Sequence, residues 1–171
     1  MRGAHSRNKT GFDQRVDHVP DLAVHAGYMR EALLEAEKAR RLGEVPVGAV
    51  VVVAEAIVAR GHNRRETLKD AAAHAELLAM REAARVLGDW RLNVATVYVT
   101  MEPCPMCAGA MVQFRLKRVV YGAADPKAGA AGSVIDLLRE ARFNHQVEVI
   151  PGVLEAECRE IVRRFFRELR Q

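Results

Sequence analysis

No apolar run in this sequence approaches the roughly 20 residues that a helix needs to cross a bilayer, and a membrane partner is therefore not expected. The opening stretch MRGAHSRNKTGFDQRVDHVP carries positive charge but has no apolar core segment of the kind that marks a secretory signal. The expected location is the cytoplasm. Only three cysteines are present, an odd number that excludes a complete disulfide framework. Aromatic residues make up 5% of the chain, which leaves few rings free for stacking on bases. There is no internal repeat, so a solenoid is excluded as well.

What is present suits a single ordinary domain: 171 residues, half of them hydrophobic in the broad count and 28% charged. A formal charge of +4 leans mildly toward an anionic partner such as nucleic acid. Residues 1–22 mix charge, Gly, Ser, Asn and Pro without periodicity and are read as a flexible N-terminal extension, leaving 23–171 as the folded domain. The apolar spacing of Ala32, Leu33, Ala36 and Ala39 predicts a helix over Tyr28 to Leu42, with Gly43 as its stop. Val47 to Val53 and Ala56 to Ala59 predict a hairpin. A helix is expected from Ala73 to Leu87, buried through Ala75, Leu78, Ala79, Ala83 and Val86 and ended by Gly88. Ala95–Thr100 reads as a strand, Pro103 as the entry to a helix through Cys104, Cys107 and Met111, and Arg118–Gly122 as the next strand. A Gly/Ala-rich loop, a short helix near Val134 to Arg139, a strand over Val147–Ile150 and a final helix from Leu154 complete the chain. Strands alternating with helices predict an α/β fold, a three-layer α/β/α domain covered on both faces of its sheet.

Cys104 and Cys107 stand in a C-x-x-C arrangement that, in a cytosolic chain, points to metal or redox chemistry. By itself it fits a redox pair or half of a four-ligand structural zinc site, with Cys158 and the remaining histidines as candidates to complete it. With His74 the cysteines instead supply three ligands of the types zinc favours, leaving a fourth position for water, as a catalytic site requires. At a helix N-terminus the unpaired N–H groups and the dipole favour thiolates. Zinc lowers the pKa of water enough to provide hydroxide near neutral pH, which can attack an aromatic carbon bearing an amine. The reaction then needs a group that takes the proton and returns it to the ring nitrogen and departing amine. Glu76, two residues from His74, is the candidate. An isolated carboxylate so placed is usually a surface residue, and the downstream C-x-x-C is what changes that reading.

His74-Ala75-Glu76 and Pro103-Cys104-Pro105-Met106-Cys107 match the H-x-E…P-C-x-x-C pattern of the zinc nucleobase deaminases. From about Tyr28 to Arg170 the chain resembles the bacterial tRNA-specific adenosine deaminases. Shared runs are Glu44-Val45-Pro46-Val47-Gly48-Ala49-Val50, Thr100-Met101-Glu102-Pro103, Arg118-Val119-Val120-Tyr121-Gly122-Ala123, Gly129-Ala130-Ala131-Gly132-Ser133, Asn144-His145 and Phe165-Phe166-Arg167. The resemblance implies a cytidine-deaminase-like fold with a central mixed sheet of about five strands, one zinc per subunit, a homodimer, and hydrolytic conversion of adenosine to inosine at the wobble position of a tRNA anticodon. It further implies that Asn63 hydrogen-bonds the extruded nucleoside, that Val47 helps form the base pocket, that the Ala75 amide touches the purine, and that Asp125 and Lys127 sit on the loop that meets RNA. In place of the family's frequent Asp-Pro-Thr before Ala-His-Ala-Glu the chain has Asp70-Ala71-Ala72, and Pro105 and Pro126 replace residues that are usually not proline. None of these is a ligand, and they are read as tuning.

In the last helix Leu154, Cys158, Ile161, Phe165 and Leu169 form an apolar stripe, so Phe165 is assigned to the core and Phe166 to one side of it. Arg163, Arg167 and Arg170 follow a second face beside Phe166. Such a face is ordinarily only solvated, but with the resemblance Phe166 and Arg167 become candidates for gripping an anticodon stem-loop. Asp125 is open to two readings, a ribose 2′-hydroxyl acceptor and a turn former before Pro126. Two rival functions remain: deamination of a free base or nucleoside such as guanine or cytidine, and a noncatalytic zinc protein that binds RNA.

Overall fold

The computed structural model describes residues 22–171. The extension expected over 1–22 lies outside these described residues except for Leu22, which opens the first helix. In chain order the elements are α1 (Leu22–Arg41), β1 (Gly48–Val53), β2 (Ala56–His62), α2 (Arg65–Leu68), α3 (Ala75–Leu87), β3 (Thr96–Met101), α4 (Pro105–Gln113), β4 (Arg118–Ala123), β5 (Glu148–Ile150) and α5 (Glu155–Glu168). The five strands form one sheet in the order β2-β1-β3-β4-β5. β1 runs antiparallel to β2 and β3, while β3, β4 and β5 are mutually parallel neighbours, so the sheet is mixed as expected.

Successive strand residues point to opposite faces, and here both faces are dry. Ala49, Val51, Val97, Val99, Val119 and Tyr121 meet Ala75, Ala79 and Met80 of α3 and Ala108 and Met111 of α4. Val50, Val52, Tyr98 and Val120 meet Met29 and Ala32 of α1 and Cys158 of α5. Double coverage explains why β1 and β4 read as unbroken apolar runs rather than alternating ones. Each buried Val or Met contributes about 1.5–3 kcal/mol. Close packing of α3 depends on Gly61 of β2: a Cβ there would lie 2.4 Å from the Ala75 carbonyl oxygen and 2.8 Å from the Ala79 nitrogen.

The differences from expectation have local causes. α1 begins six residues before Tyr28 because its first turn is buried through His25, whose Nδ1 lies 2.9 Å from the Tyr98 hydroxyl, and apolar periodicity does not count a histidine. α3 starts at Ala75 and stops at Gly88, which takes a left-handed φ of 69°. Met80, not Val86, fills its buried face, and Val86 is half exposed. The helix expected over Val134 to Arg139 is absent. That segment consists of turns and one bridge between Ala131 and Asp136, because its neighbouring amides are already committed: Ala131 and Ser133 donate to Glu102 and Leu137 donates to Ala130. The short helix α2 has no buried residue and so no apolar pattern to announce it. In α5 Phe165 is buried and Phe166 exposed as expected, but Leu169 is 64% exposed and leaves the apolar stripe. Among the described residues no helix is long and apolar enough to cross a membrane.

Candidate active site

Two helix N-termini build the centre. His74 is the N-cap of α3, with extended backbone, and its carbonyl accepts the first helical bond from Leu78 at 3.0 Å. Cys104 is the N-cap of α4, where Pro105 occupies a first-turn position that needs no N–H donor. The carbonyl of Cys104 accepts from Ala108 at 2.8 Å, and Cys107 lies within the first turns of the same helix. His74 Nδ1 is 3.6 Å from Cys104 Sγ and 3.5 Å from Cys107 Sγ. All three ligand atoms lie within 4.8 Å of one another. Tetrahedral zinc with ordinary Zn–S and Zn–N bonds separates N from S by about 3.5 Å, so donor types and spacing both fit that ion.

Among the described residues the cluster stops at three ligands. Cys158 is buried elsewhere, against β4 and α1, which removes it as a fourth ligand. The hydrogen bond from Cys107 pulls Cys104 down to about 4. Cys107 is pushed far above the usual thiol range by that same bond and by burial. The Cys104 thiolate raises His74, against the opposing effect of burial.

Glu76 occupies the first turn of α3 with only 4% of its surface exposed. Burial pushes its carboxyl up to about 7, the range in which a group both accepts and returns protons at neutral pH. The cavity beside it holds about 250 Å³. It is lined by Val47, Asn63, His74, Ala75, Glu76, Cys104 and Asp125, so the structure brings together the expected metal, proton-transfer and base-pocket residues. Ala75 is the first residue of α3, and its N–H is one of the four that a helix leaves without an internal partner. Asn63 donates to the Val45 carbonyl at 3.1 Å and accepts from the Arg65 amide at 3.3 Å; its Nδ2 still carries a second donor. Asp125 accepts from the amides of Lys127 and Ala128, which is the turn geometry of one of its two readings, while it also faces the cavity.

Lys127, Phe166 and Arg167 are not in this cavity. They line an adjoining open groove with Arg163 and Arg170. Sequence reasoning missed Glu44 and Glu102 in the wall. Both are buried acids, and both accept backbone amides: Glu44 from Glu66 and Thr67, Glu102 from Asp125, Ala131 and Ser133. Burial raises each carboxyl, yet hydrogen-bond donors outweigh it, the Thr67 and Glu66 amides at Glu44 and the Ser133 hydroxyl with three amides at Glu102, and hold both below the usual range. In the sequence both stand inside runs shared with the family, Glu44-Val45-Pro46-Val47 and Thr100-Met101-Glu102-Pro103, but nothing there assigns either a role.

A His/Cys/Cys cluster with a buried glutamate on an α/β/α sheet defines the chain as a deaminase of the cytidine-deaminase-like class. The family model described as MafB19-like deaminase matches residues 24–170. The chain is 58% identical over 144 residues to the tRNA-specific adenosine deaminase of Bacillus subtilis, covering 84% of this chain and 89% of that one. A solved structure from studies of A-to-I editing by tRNA:A34 deaminases at the wobble position of transfer RNA superposes with a TM-score of 0.76 at 43% identity, covering 79% of this chain and 98% of the other. Guanine deaminase from Bacillus subtilis gives a TM-score of 0.56 at 40% identity, covering 58% of this chain and 64% of that one. The chain belongs to the MafB19-like deaminase family, in the branch of the tRNA-specific adenosine deaminases.

Proposed function

We propose that this protein is a zinc-dependent hydrolase that converts adenosine to inosine at the wobble position of a tRNA anticodon. The observation that carries the reading is a buried glutamate with a near-neutral pKa, two residues from His74, lining a cavity of about 250 Å³ together with His74 and Cys104. His74, Cys104 and Cys107 would hold one zinc per subunit. Bound there, zinc supplies Lewis acidity that makes water acidic enough to act as a nucleophile near neutral pH.

The chain's own residues perform the proton transfers. Glu76 takes a proton from water as oxygen bonds to C6 of the purine, delivers it to N1, and conveys the second proton to the C6 amine. The C6–N bond then breaks and ammonia leaves, giving inosine. Val47 and Asn63, which line the same cavity, orient the base, and the Ala75 amide meets the purine edge. Because the reacting base must leave its stack, the flanking RNA lies outside the cavity. Lys127, Phe166 and Arg167 offer phosphate contacts and one exposed ring there. A homodimer and a cytoplasmic site of action belong to the same reading; light scattering that returned a single 19.0 kDa chain would remove the dimer.

The test is inosine formation by zinc-loaded protein on an anticodon stem-loop with a wobble adenosine, beside free adenosine, cytidine and guanine. Turnover of the stem-loop alone is expected. Turnover of a free base or nucleoside without the RNA would keep the metal chemistry and overturn the substrate. The similarity to guanine deaminase makes guanine the informative competitor.

A further inference from the structure

Segment 125–133 joins the two parts of the proposed binding surface. Asp125 and Ala128 line the base cavity, and Lys127 lines the basic groove beside Arg163, Phe166 and Arg167. The segment is itself neither helix nor strand; Ala130 and Ala131 pack into the core, and Ala131 bridges Asp136. The segment is wrapped around one carboxylate, that of Glu102. Glu102 Oε2 accepts from the Asp125 amide at 2.9 Å and from the Ser133 hydroxyl, and Oε1 accepts from the Ala131 and Ser133 amides at 3.0 Å each. Gly129 closes over the same group, for a Cβ there would lie 2.4 Å from Glu102 Oε2. The backbone continues the attachment: the Ala130 amide donates to the Pro103 carbonyl at 2.8 Å, one residue before the ligand Cys104.

We propose that Glu102 is a positioning residue for RNA, setting the register between the base cavity and the phosphate groove by fixing segment 125–133 to the chain that carries Cys104 and Cys107. Its carboxylate is occupied by these donors and takes no part in the proton transfers or in holding the metal. A buried carboxylate saturated by four donors is a stiff anchor, because each donor would lose a charge-assisted bond on moving away. The inference rests on the proposed RNA substrate. In that reading a loosened segment would leave chemistry on a bound base intact while displacing Asp125 and Lys127 from the RNA.

The test compares Glu102→Gln and Ser133→Ala with the parent on the anticodon stem-loop, measuring kcat, KM and zinc content. The side-chain NH2 that E102Q introduces is a donor, and it meets another donor wherever a carboxylate oxygen had accepted. For E102Q a KM about tenfold higher is expected, the effect of roughly one lost charge-assisted bond. S133A, which removes one donor and leaves the amides, should give a smaller rise. Zinc stays at one per chain and kcat within about threefold for both. A fall in kcat or zinc content at unchanged KM would make Glu102 only structural and overturn the proposal, as would kinetics identical to the parent. If the parent itself leaves the stem-loop unreacted, it is the substrate reading that fails instead.

Discussion

At Glu76 two demands oppose each other: the fold buries a carboxyl group, and the chemistry needs that group to ionise. Burial lifts its pKa to about 7, which places both protonation states within reach at neutral pH. Glu76→Gln, nearly isosteric, should lower kcat by about 10²- to 10⁴-fold while zinc remains near one per chain. Kinetics and metal analysis on one preparation decide it, and loss of zinc along with activity would make Glu76 structural. Glu44 shows the reverse balance. Desolvation raises it, but the Thr67 and Glu66 amides prevail and its pKa is lowered. A carboxyl depressed in the fold contributes stability that is present above its unfolded value of about 4.3 and lost as pH falls through the lower folded value. Glu44→Gln should therefore cost about 1–3 kcal/mol at pH 7. That gap to the parent should shrink below about pH 4, as denaturant midpoints at the two pH values would show. A gap independent of pH would mean that the carboxylate charge plays no part.

Among the elements, α3 carries the most consequence, since its first turn presents His74 and Glu76 together and its seat on β2 requires Gly61. Gly61→Ala places a methyl group against the Ala75 carbonyl and Ala79 nitrogen, where backbone and not a flexible side chain must move. The expected outcome is a destabilisation of about 1–3 kcal/mol together with weaker zinc retention under chelator challenge. A variant that melts lower but holds zinc like the parent would separate helix seating from ligand geometry. Most elements were legible from the sequence because apolar periodicity and punctuation agreed: Gly88 ends α3, and Pro105 opens α4. Where partners came from distant segments the same signals failed. α2 hangs from Glu44, 22 residues away in sequence, and the missing helix after Gly132 gives its neighbouring amides to Glu102, 29 and 31 residues away.

For the molecule as a whole, a charge of +4 is modest, and its placement matters more than its size. Arg163, Arg167 and Arg170 gather with Lys127 along one groove beside the cavity, although Arg167 also pairs with Glu160 at 2.6 Å. Phe166→Ala with Arg167→Ala should weaken stem-loop binding about tenfold or more while zinc stays bound. The slope of log affinity against log salt should fall by about 1, or less because Glu160 already competes for Arg167. An unchanged affinity would move the RNA surface elsewhere.

The class of chemistry was written in the chain before any folding was considered: His74, Glu76, Cys104 and Cys107 carry the ligand types and spacing that a zinc deaminase needs, and alternating apolar segments specify a sheet covered on both faces. These are properties of residue type and short spacing, which do not depend on how distant segments pack. Packing in three dimensions was needed to show that the cluster holds three ligands and excludes Cys158, that Glu76 is buried enough to titrate near neutrality, and that Lys127, Phe166 and Arg167 lie outside the base cavity. It alone placed Glu44 and Glu102 within the cavity walls, because burial, desolvation and hydrogen bonds across 22 to 31 residues arise only when distant segments pack together.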